Sequence, residues 1–343
     1  MHGTVHLFEH LPQVDNPPAG AGLRRHAPAM RNRPLVGLIR NPRSHGNAGR
    51  TTPEDLRENV LLETPWKRSE LTGILSRFAE RQVDFIAIDG GDGTVRDVLT
   101  LGAGIFGASW PPLIILPTGK TNALGHDLAI SGNWTIEDAL EAAIAGSFTI
   151  RQPIFVTKRD DQRSQVLGFV LGAGAFTRAI ALGQRGHDLG AFNNAVVLLT
   201  IVWSALQAFF GRAGNPWRSG VRMAVRNGKG HQLAHRGGLP EDERYLFFAS
   251  SLRKFPFVLD PFRGITETVR VAVLDNPSRG LLLRLGAILT GCASASTKAR
   301  GLHVFGEEAL EVDLDEAFIL DGEAFPAGQY RLGAGPKLRF VVP

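Results

Sequence analysis

Apolar positions along this chain fall into two textures. Up to about residue 150, short apolar runs rich in β-branched residues alternate with stretches that are apolar every three or four positions. Residues 35–40, 84–88 and 113–116 read as strands, and Val60-Leu61-Leu62-Glu63-Thr64 as a further one. Helices are predicted over 68–82, where Leu71, Ile74, Leu75 and Phe78 share a face, over 94–101, and over 135–146. The last of these starts at Thr135-Ile136-Glu137-Asp138 and stops near Gly146. Beyond residue 150, short strands are separated by Gly, Pro and Asn/Asp turns: 150–156, 165–171, 221–226, 245–250, 268–273, 302–305, 310–314, 317–320 and 338–342. The pattern predicts an α/β domain over 34–150 and a mostly antiparallel, sandwich-like β domain over 151–343.

Two apolar helical stretches interrupt the β texture, at 195–210 and 281–289. The first carries Thr200, Ser204 and Gln207 and is shorter than the roughly 20 apolar residues a membrane-spanning helix needs. It reads equally well as a core helix and as an apolar wall for acyl chains dipping into a bilayer. In the second case Trp203, Phe209, Phe210 and Trp217 lie near the interface, flanked by Arg185, Arg212 and Arg218. Residues 1–33 lack a sustained apolar stretch and contain Pro12, Pro17, Pro18 and Pro28, so a flexible extension without a secretory signal is expected. His2, His6 and His10 recur every four residues, but a terminal tail is the simpler reading than a metal site.

At 343 residues the chain can hold two cores, and 43% hydrophobic with 21% charged residues is a globular composition. The net charge of +5 suits a polyphosphate or an anionic lipid surface. No aromatic-interleaved basic stripe or zinc module points to nucleic acid. Cys292, the single cysteine, excludes an internal disulfide and fits a reducing, cytoplasmic setting.

The chemistry concentrates in three turns, each after a predicted strand. Ile86-Ala87-Ile88-Asp89 runs into Gly90-Gly91-Asp92-Gly93-Thr94 and then a helix. Glycines there let the backbone approach a ligand, and a helix N-terminus behind them favours an anion. Asp92 inside that turn would repel phosphate unless a cation intervenes or the acid acts on a proton. Either role points to phosphoryl transfer. The turn is neither a Walker A loop nor a dinucleotide fingerprint. Upstream, Val36-Gly37-Leu38-Ile39 leads to Asn41-Pro42-Arg43-Ser44-His45-Gly46-Asn47. Downstream, Leu113-Ile114-Ile115-Leu116 leads to Pro117-Thr118-Gly119-Lys120-Thr121-Asn122.

Taken in order, these turns resemble the signature of the diacylglycerol kinase catalytic domain superfamily, which includes bacterial diacylglycerol, sphingosine and ceramide kinases, with NAD kinases more distant. The family carries Asn-Pro-x-Ser-Gly in the first turn, where His45 precedes Gly46 here, so that turn is displaced by one residue. It carries Pro-x-Gly-Thr-x-Asn in the third, where Lys120 stands for Thr. The resemblance covers roughly residues 34 to 340. It implies a nucleotide-binding α/β domain, a larger β-rich domain that takes the lipid, and an active site in the cleft between them.

On that resemblance, ATP would be held by Asn41, Arg43, Ser44, Thr64, Gly90, Gly91, Gly93, Thr94, Gly119, Lys120, Thr121 and Asn122, with Mg²⁺ near Asp92 and Glu323. Lys120 could put a point charge on the β/γ-phosphates in place of the lost hydroxyl. Ala317-Phe318-Ile319-Leu320 runs into Asp321-Gly322-Glu323, and the family has Asp-Gly-Glu at this place. The resemblance makes Asp321 a candidate general base and Glu323 part of the Mg²⁺ network. Strand then Asp-Gly is also an ordinary hairpin signal. A carboxylate beside Mg²⁺ is a better ligand than base, so Asp92 is expected to organise metal and phosphate while Asp321 takes the proton.

Gly172-Ala173-Gly174-Ala175-Phe176-Thr177 resembles the family's Gly-x-Gly-Phe-Asp-Ala, with Phe176 where an acid is usual. That argues against a cationic sphingoid base and for a neutral-headed acceptor such as diacylglycerol or ceramide. Gly174, Phe176, Trp203 and Phe209 are the candidate lipid contacts. The expectation is an ATP- and Mg²⁺-dependent lipid kinase at the inner membrane face, with a lipid substrate, no nucleic-acid partner, and a homodimer possible. The alternatives are an NAD kinase-like enzyme, whose downstream Asn-Glu pair is missing here, and a non-catalytic nucleotide- or lipid-binding module.

Overall fold

The computed structural model describes residues 6–14, 33–47, 58–187, 206–212, 214–256 and 259–343, the side chains of 183–187 excepted. The chain divides into two compact units, 12–153 with 335–343, and 1–11 with 154–334.

The α/β unit is a six-stranded sheet. Its elements run β1 (Val36–Arg40), β2 (Val60–Glu63), α1 (Glu70–Glu80), β3 (Phe85–Gly90), α2 (Asp92–Phe106), β4 (Leu113–Pro117), α3 (Ala123–Asp127), α4 (Ile136–Ile144) and β5 (Phe148–Arg151). The strand order is β2-β1-β3-β4, continued by the C-terminal strand β18 (Leu338–Val341) and then β5. β1 to β4 are parallel, and β18 joins β4 in parallel and β5 antiparallel. The chain order reverses direction between β1 and β3, the position where open α/β sheets bind ligands at the carboxyl ends of their strands.

Local causes are visible in each element. α1 buries Leu71, Ile74, Leu75 and Phe78. Gly37 of β1 leaves the space that the Phe78 ring occupies, so helix and strand pack closely. α2 extends beyond the predicted 94–101 and carries Gly102, a poor helix former, inside it, where a side chain would overlap the Trp110 ring. α4 begins in a complete capping box, with Thr135 Oγ1 accepting from Asp138 N–H and the Asp138 carboxylate accepting from Thr135 N–H.

The β-rich unit has two six-stranded sheets. One orders β10 (Glu243–Arg244), β9 (Val221–Asn227), β14 (Ala309–Leu314), β17 (Gly328–Ala334), β6 (Ile154–Lys158) and β7 (Gln165–Gly168). The other orders β13 (Leu302–Glu307), β12 (Val269–Leu274), β11 (Leu246–Ser250), β8 (Val170–Gly174), β15 (Phe318–Leu320) and β16 (Glu323–Phe325). A single core joins their inner faces. It includes Val156, Val225, Val312 and Leu332 from the first sheet and Leu171, Phe247, Val271 and Phe318 from the second. This is the expected sandwich. α5 (Ala175–His187) follows β8 directly.

Four expectations need correction. Residues 6–14 are not a loose tail: Leu7 bridges Ala324, Phe8 stacks on Phe325 with ring centroids 4.7 Å apart, and Leu11 is 2% exposed in the sandwich core. The domain limits shift, because β18 belongs to the α/β sheet and not to the β domain. The runs 150–156 and 165–171 each break in two, at Gln152-Pro153 and at Phe169, so that one strand ends in one sheet and the next begins in another. The single helix expected at 281–289 is two short ones, Arg279–Leu282 and Leu285–Leu289; of the other stretch, residues 206–210 are helical and 195–205 lie outside the described residues. No helix among the described residues is long and apolar enough to cross a membrane.

Truncating Leu11 to Ala should therefore destabilise the β-rich unit by about 2–5 kcal/mol, read by chemical denaturation. A free tail would show no change.

Candidate active site

The three predicted turns are brought together at one edge of the α/β sheet, as adjacent parallel strands require. β1 and β3 are in register with Arg40 opposite Asp89, and β3 and β4 with Gly90 opposite Pro117. The chain leaves each strand at the same edge, and Thr64 follows β2 there, exposed.

Asp89 ties the turns together. It is the last polar residue of β3 and only 3% exposed. One carboxylate oxygen accepts from Arg40 Nε at 2.8 Å. The other accepts from Asn47 Nδ2 at 2.7 Å and from Thr118 Oγ1 at 2.9 Å. One acid thus holds the end of β1, the first turn and the third turn. Asn47 Nδ2 also reaches Asn41 O at 3.2 Å, and Ser44 Oγ lies 3.1 Å from Thr118 Oγ1. Sequence reasoning passed over Asp89, Asn47 and Thr118. A charged residue closing an otherwise apolar strand was the available signal, since burial of an acid demands partners.

The expected ligands divide into positioning groups and exposed groups. Asn41 Nδ2 donates to Thr94 Oγ1 at 2.8 Å, and Asn41 Oδ1 accepts from Arg43 N–H at 3.0 Å. Asn41 therefore orients the Thr94 hydroxyl and leaves that hydroxyl its own proton to donate. Gly46, not residue 45, makes the close approach in the first turn, as the displaced motif implied. Its N–H donates to Thr118 O at 2.8 Å, and a Cβ there would stand 3.0 Å from Thr118 Cβ. Asn122 sits in the left-handed region at φ 48° and brackets its own turn, accepting from Gly119 N–H and donating to Gly119 O. Lys120 and Thr121 are exposed at the tip, and Arg43 is exposed in the first turn.

The glycines differ in purpose. A Cβ on Gly119 would overlap Gly91 Cα, and one on Gly90 would come within 2.6 Å of Thr94. A Cβ on Gly93 would meet only Arg96 Nη2 at 3.8 Å, an ordinary contact. Protein packing does not require glycine at 93. α2 starts at N-cap Gly91 without a side-chain cap. Its first-turn N–H groups and dipole suit an anion there. Arg96, 2% exposed and paired with Asp97 at 2.9 Å, lies beneath the same turn.

Asp92 has a structural role that the sequence did not show. Its Oδ2 accepts from Ala123 N–H at 2.8 Å and its Oδ1 from Leu124 N–H at 3.1 Å. The carboxylate caps α3 from the second turn, in the role that left-handed Asn122 leaves open. Burial pushes the Asp92 carboxyl above its ordinary range, opposed by those two N–H groups and by the Arg96 charge. No cluster of three metal-ligating side chains occurs among the described residues.

In the β-rich unit, Asp321 and Gly322 have φ of 47° and 86° and make the tight turn between β15 and β16. The hairpin reading of Asp-Gly holds. The Asp321 carboxylate also accepts from Phe169 N–H, at 3.1 and 3.0 Å for its two oxygens, and from Val170 N–H at 2.9 Å. It clamps the corner where the chain passes from β7 in one sheet to β8 in the other, and a side chain on Gly168 would collide with it. Glu323 Oε2 accepts from His6 N–H at 2.8 Å. Gly174 takes φ 69° against Tyr245 O. Phe176 lays its ring over Gly172 and 5.5 Å from the Phe248 ring. Phe209 lies beside the Arg279 guanidinium, and Trp203 is outside the described residues.

Comparison with known proteins agrees with this arrangement. Residues 36–151 match the diacylglycerol kinase catalytic domain. The matched segment holds all three turns, and a phosphotransferase is the activity class it carries. A crystal structure of a Bacillus anthracis strain Sterne protein provisionally assigned as a diacylglycerol kinase superposes with a TM-score of 0.60 at 15% identity, covering 90% of this chain and 97% of the other. Another, of a diacylglycerol kinase from the same strain, gives 0.58 at 16% identity with the same coverage. At these identities the likeness is one of fold. An NAD kinase from Archaeoglobus fulgidus in complex with ATP reaches a TM-score of 0.44 at 13% identity, too low to bear on function. No curated protein sequence matches the chain.

Two substitutions separate packing from ligand. Gly119→Ala forces backbone apart at Gly91 and should lower nucleotide affinity at least about tenfold, whereas Asp89→Ala orphans Arg40 and should cost about 3 kcal/mol of stability. Titration calorimetry and denaturant melts read the two effects. Wild-type behaviour of both variants would remove the knot described above.

Proposed function

We propose that this chain is an ATP- and Mg²⁺-dependent lipid kinase that moves the γ-phosphate of ATP to a primary hydroxyl of a membrane lipid of the diacylglycerol or ceramide type. One observation carries the reading. Three turns at the ends of neighbouring parallel strands are locked by one buried acid, around a helix N-terminus where the protein's own packing does not require Gly93.

That cradle fits a polyphosphate. Gly93 and the first-turn N–H groups of α2 would bind phosphate oxygens, Thr94 would donate its hydroxyl, and Lys120 would supply charge at the rim. The donors are fixed before substrate arrives, which is how oriented dipoles stabilise developing charge cheaply. Mg²⁺, when bound, neutralises charge on the β- and γ-phosphates, and it needs only one or two protein carboxylates beside them. Asp92 would hold it through oxygen lone pairs that its N–H partners leave unused.

Asp321 and Glu323 enter the reading through their motif. The role of Asp321 as proton acceptor rests on the motif: its turn and the Phe169 and Val170 amides fix its position, and an oxygen lone pair that they leave would receive the proton from the acceptor hydroxyl. Phe176 in place of an acid favours an acceptor without a charged amine, since it sets an apolar ring among Phe248 and its neighbours. A basic, lipid-facing enzyme would work peripherally at the cytoplasmic membrane face.

The test is transfer of labelled phosphate from ATP to diacylglycerol, ceramide, sphingosine or NAD, each in separate mixed-micelle reactions with Mg²⁺. Label should enter a neutral-headed lipid. Asp321→Asn keeps the left-handed turn and one amide acceptor, and should lower kcat by at least about a hundredfold with ATP affinity intact. Transfer to NAD alone, or ATP binding without transfer to any acceptor, would replace the proposal with one of its two alternatives.

A further inference from the structure

Among the described residues of the β-rich unit, Leu7, which bridges Ala324, is exposed apart from three other large apolar side chains that lie on two linked segments. Leu206, Phe210 and Leu283 are 45%, 72% and 73% exposed. Leu206 and Phe210 are four residues apart in one helical segment and share a side of it. Arg279 joins that segment to the next: its Nε donates to Phe209 O at 3.1 Å, and its guanidinium stands 6.0 Å from the Phe209 ring centroid. Phe209 meets Phe210 edge-on at 5.0 Å. Leu283 lies one helical turn beyond Arg279 and donates its N–H to Arg279 O. The three exposed side chains therefore belong to one patch.

The two segments that carry the patch have charge of one sign, and the acid nearest their frame is Glu243, against Gly220. Residues 206–240 and 276–306 contain no Asp or Glu. Arg212 and Arg279 are exposed on the same segments, and Arg284 is half-buried beside Leu283. Next to them a cleft of about 340 Å³ is lined by Asn215, Arg218, Ser219, Asn276 and Ser278, and no acid lines it. Arg218 donates from the cleft wall to Ala208 O, and Ser278 precedes Arg279, so cleft and patch share their frame.

We propose that this face docks the protein on an anionic phospholipid bilayer. Leu206, Phe210 and Leu283 insert at the level of the acyl boundary, and Arg212 and Arg279 meet lipid phosphates. The Arg218 cleft accepts a headgroup. Protruding aliphatic and aromatic side chains ringed by arginine are the composition of an interfacial membrane contact. A second copy of the chain fits the face poorly, because a two-fold contact would set this cationic rim against itself. The inference builds on the lipid-kinase reading, since an acceptor held in a bilayer calls for an enzyme docked there.

Cosedimentation of the full chain with phosphatidylcholine vesicles, with and without phosphatidylglycerol, tests it. Binding should require the anionic lipid and weaken with salt. The double variant Phe210→Ser/Leu283→Ser should lose at least about tenfold in partitioning, and Arg212→Gln about fivefold, each with an unchanged melting temperature. Equal binding to both vesicle types, or wild-type partitioning by the variants, would overturn the docking face. So would a dimer in sedimentation velocity that Phe210→Ser dissociates without any change in vesicle binding. Phosphate transfer to a short-chain, water-soluble diacylglycerol should be the same in wild type and variants. Its absence in both would count against the kinase reading and leave vesicle binding to decide the surface.

Discussion

A buried carboxylate in a protein interior must be paired, and the pairing fixes whatever it touches. In the α/β unit that carboxylate is Asp89. Its partners come from the end of β1, from Asn47 in the first turn, and from Thr118 in the third. Loops at the ends of parallel strands would otherwise be independent and mobile. Here they share one hydrogen-bonded centre a residue away from Gly90. The donors proposed to face a phosphate are thus held by a group that is itself turned inward. Rigidity of the cradle comes from beneath it, which leaves the upper face free for ligand.

The two acids that chemistry would single out both have structural work. Asp92 accepts the first N–H groups of α3, and Asp321 accepts those at the β7–β8 corner. An acid that ends a short helix or a sheet crossing has a fixed orientation, and a fixed orientation is what a ligand or base position requires. Structural and chemical roles are therefore compatible at these sites. They also mean that loss of activity in a variant there carries information only when folding is measured beside it.

Periodicity was enough to find α1 and α4, and unbroken apolar runs found the parallel strands β1, β3 and β4, which are buried on both faces. It failed where a contact distant in sequence decides the outcome. β18 reads like any other apolar strand, and only its pairing with β4 and β5 assigns it to the α/β sheet. The break at Phe169 lies inside a continuous apolar run and is imposed by Asp321, more than a hundred residues later. The packing of Phe8 and Leu11 depends on Phe325 and the sandwich core, which a proline-rich terminal segment does not announce. The three phosphate-type turns were legible because their glycines are local requirements. Asp89 was not, because its partners are spread over the end of β1 and two turns.

Those glycine requirements distinguish fold from function inside one motif. Gly90 is needed for Thr94 and Gly91 for Gly119, so both are fixed by the protein's own atoms. Gly93 is not: a methyl group there would meet Arg96 Nη2 at ordinary distance. A glycine in a helix interior costs about 0.5–1 kcal/mol relative to alanine, and the packing around Gly93 shows no contact that requires one. Under the proposed function, an anion approaching the helix N-terminus, above a buried arginine and beside an oriented threonine hydroxyl, accounts for the missing side chain.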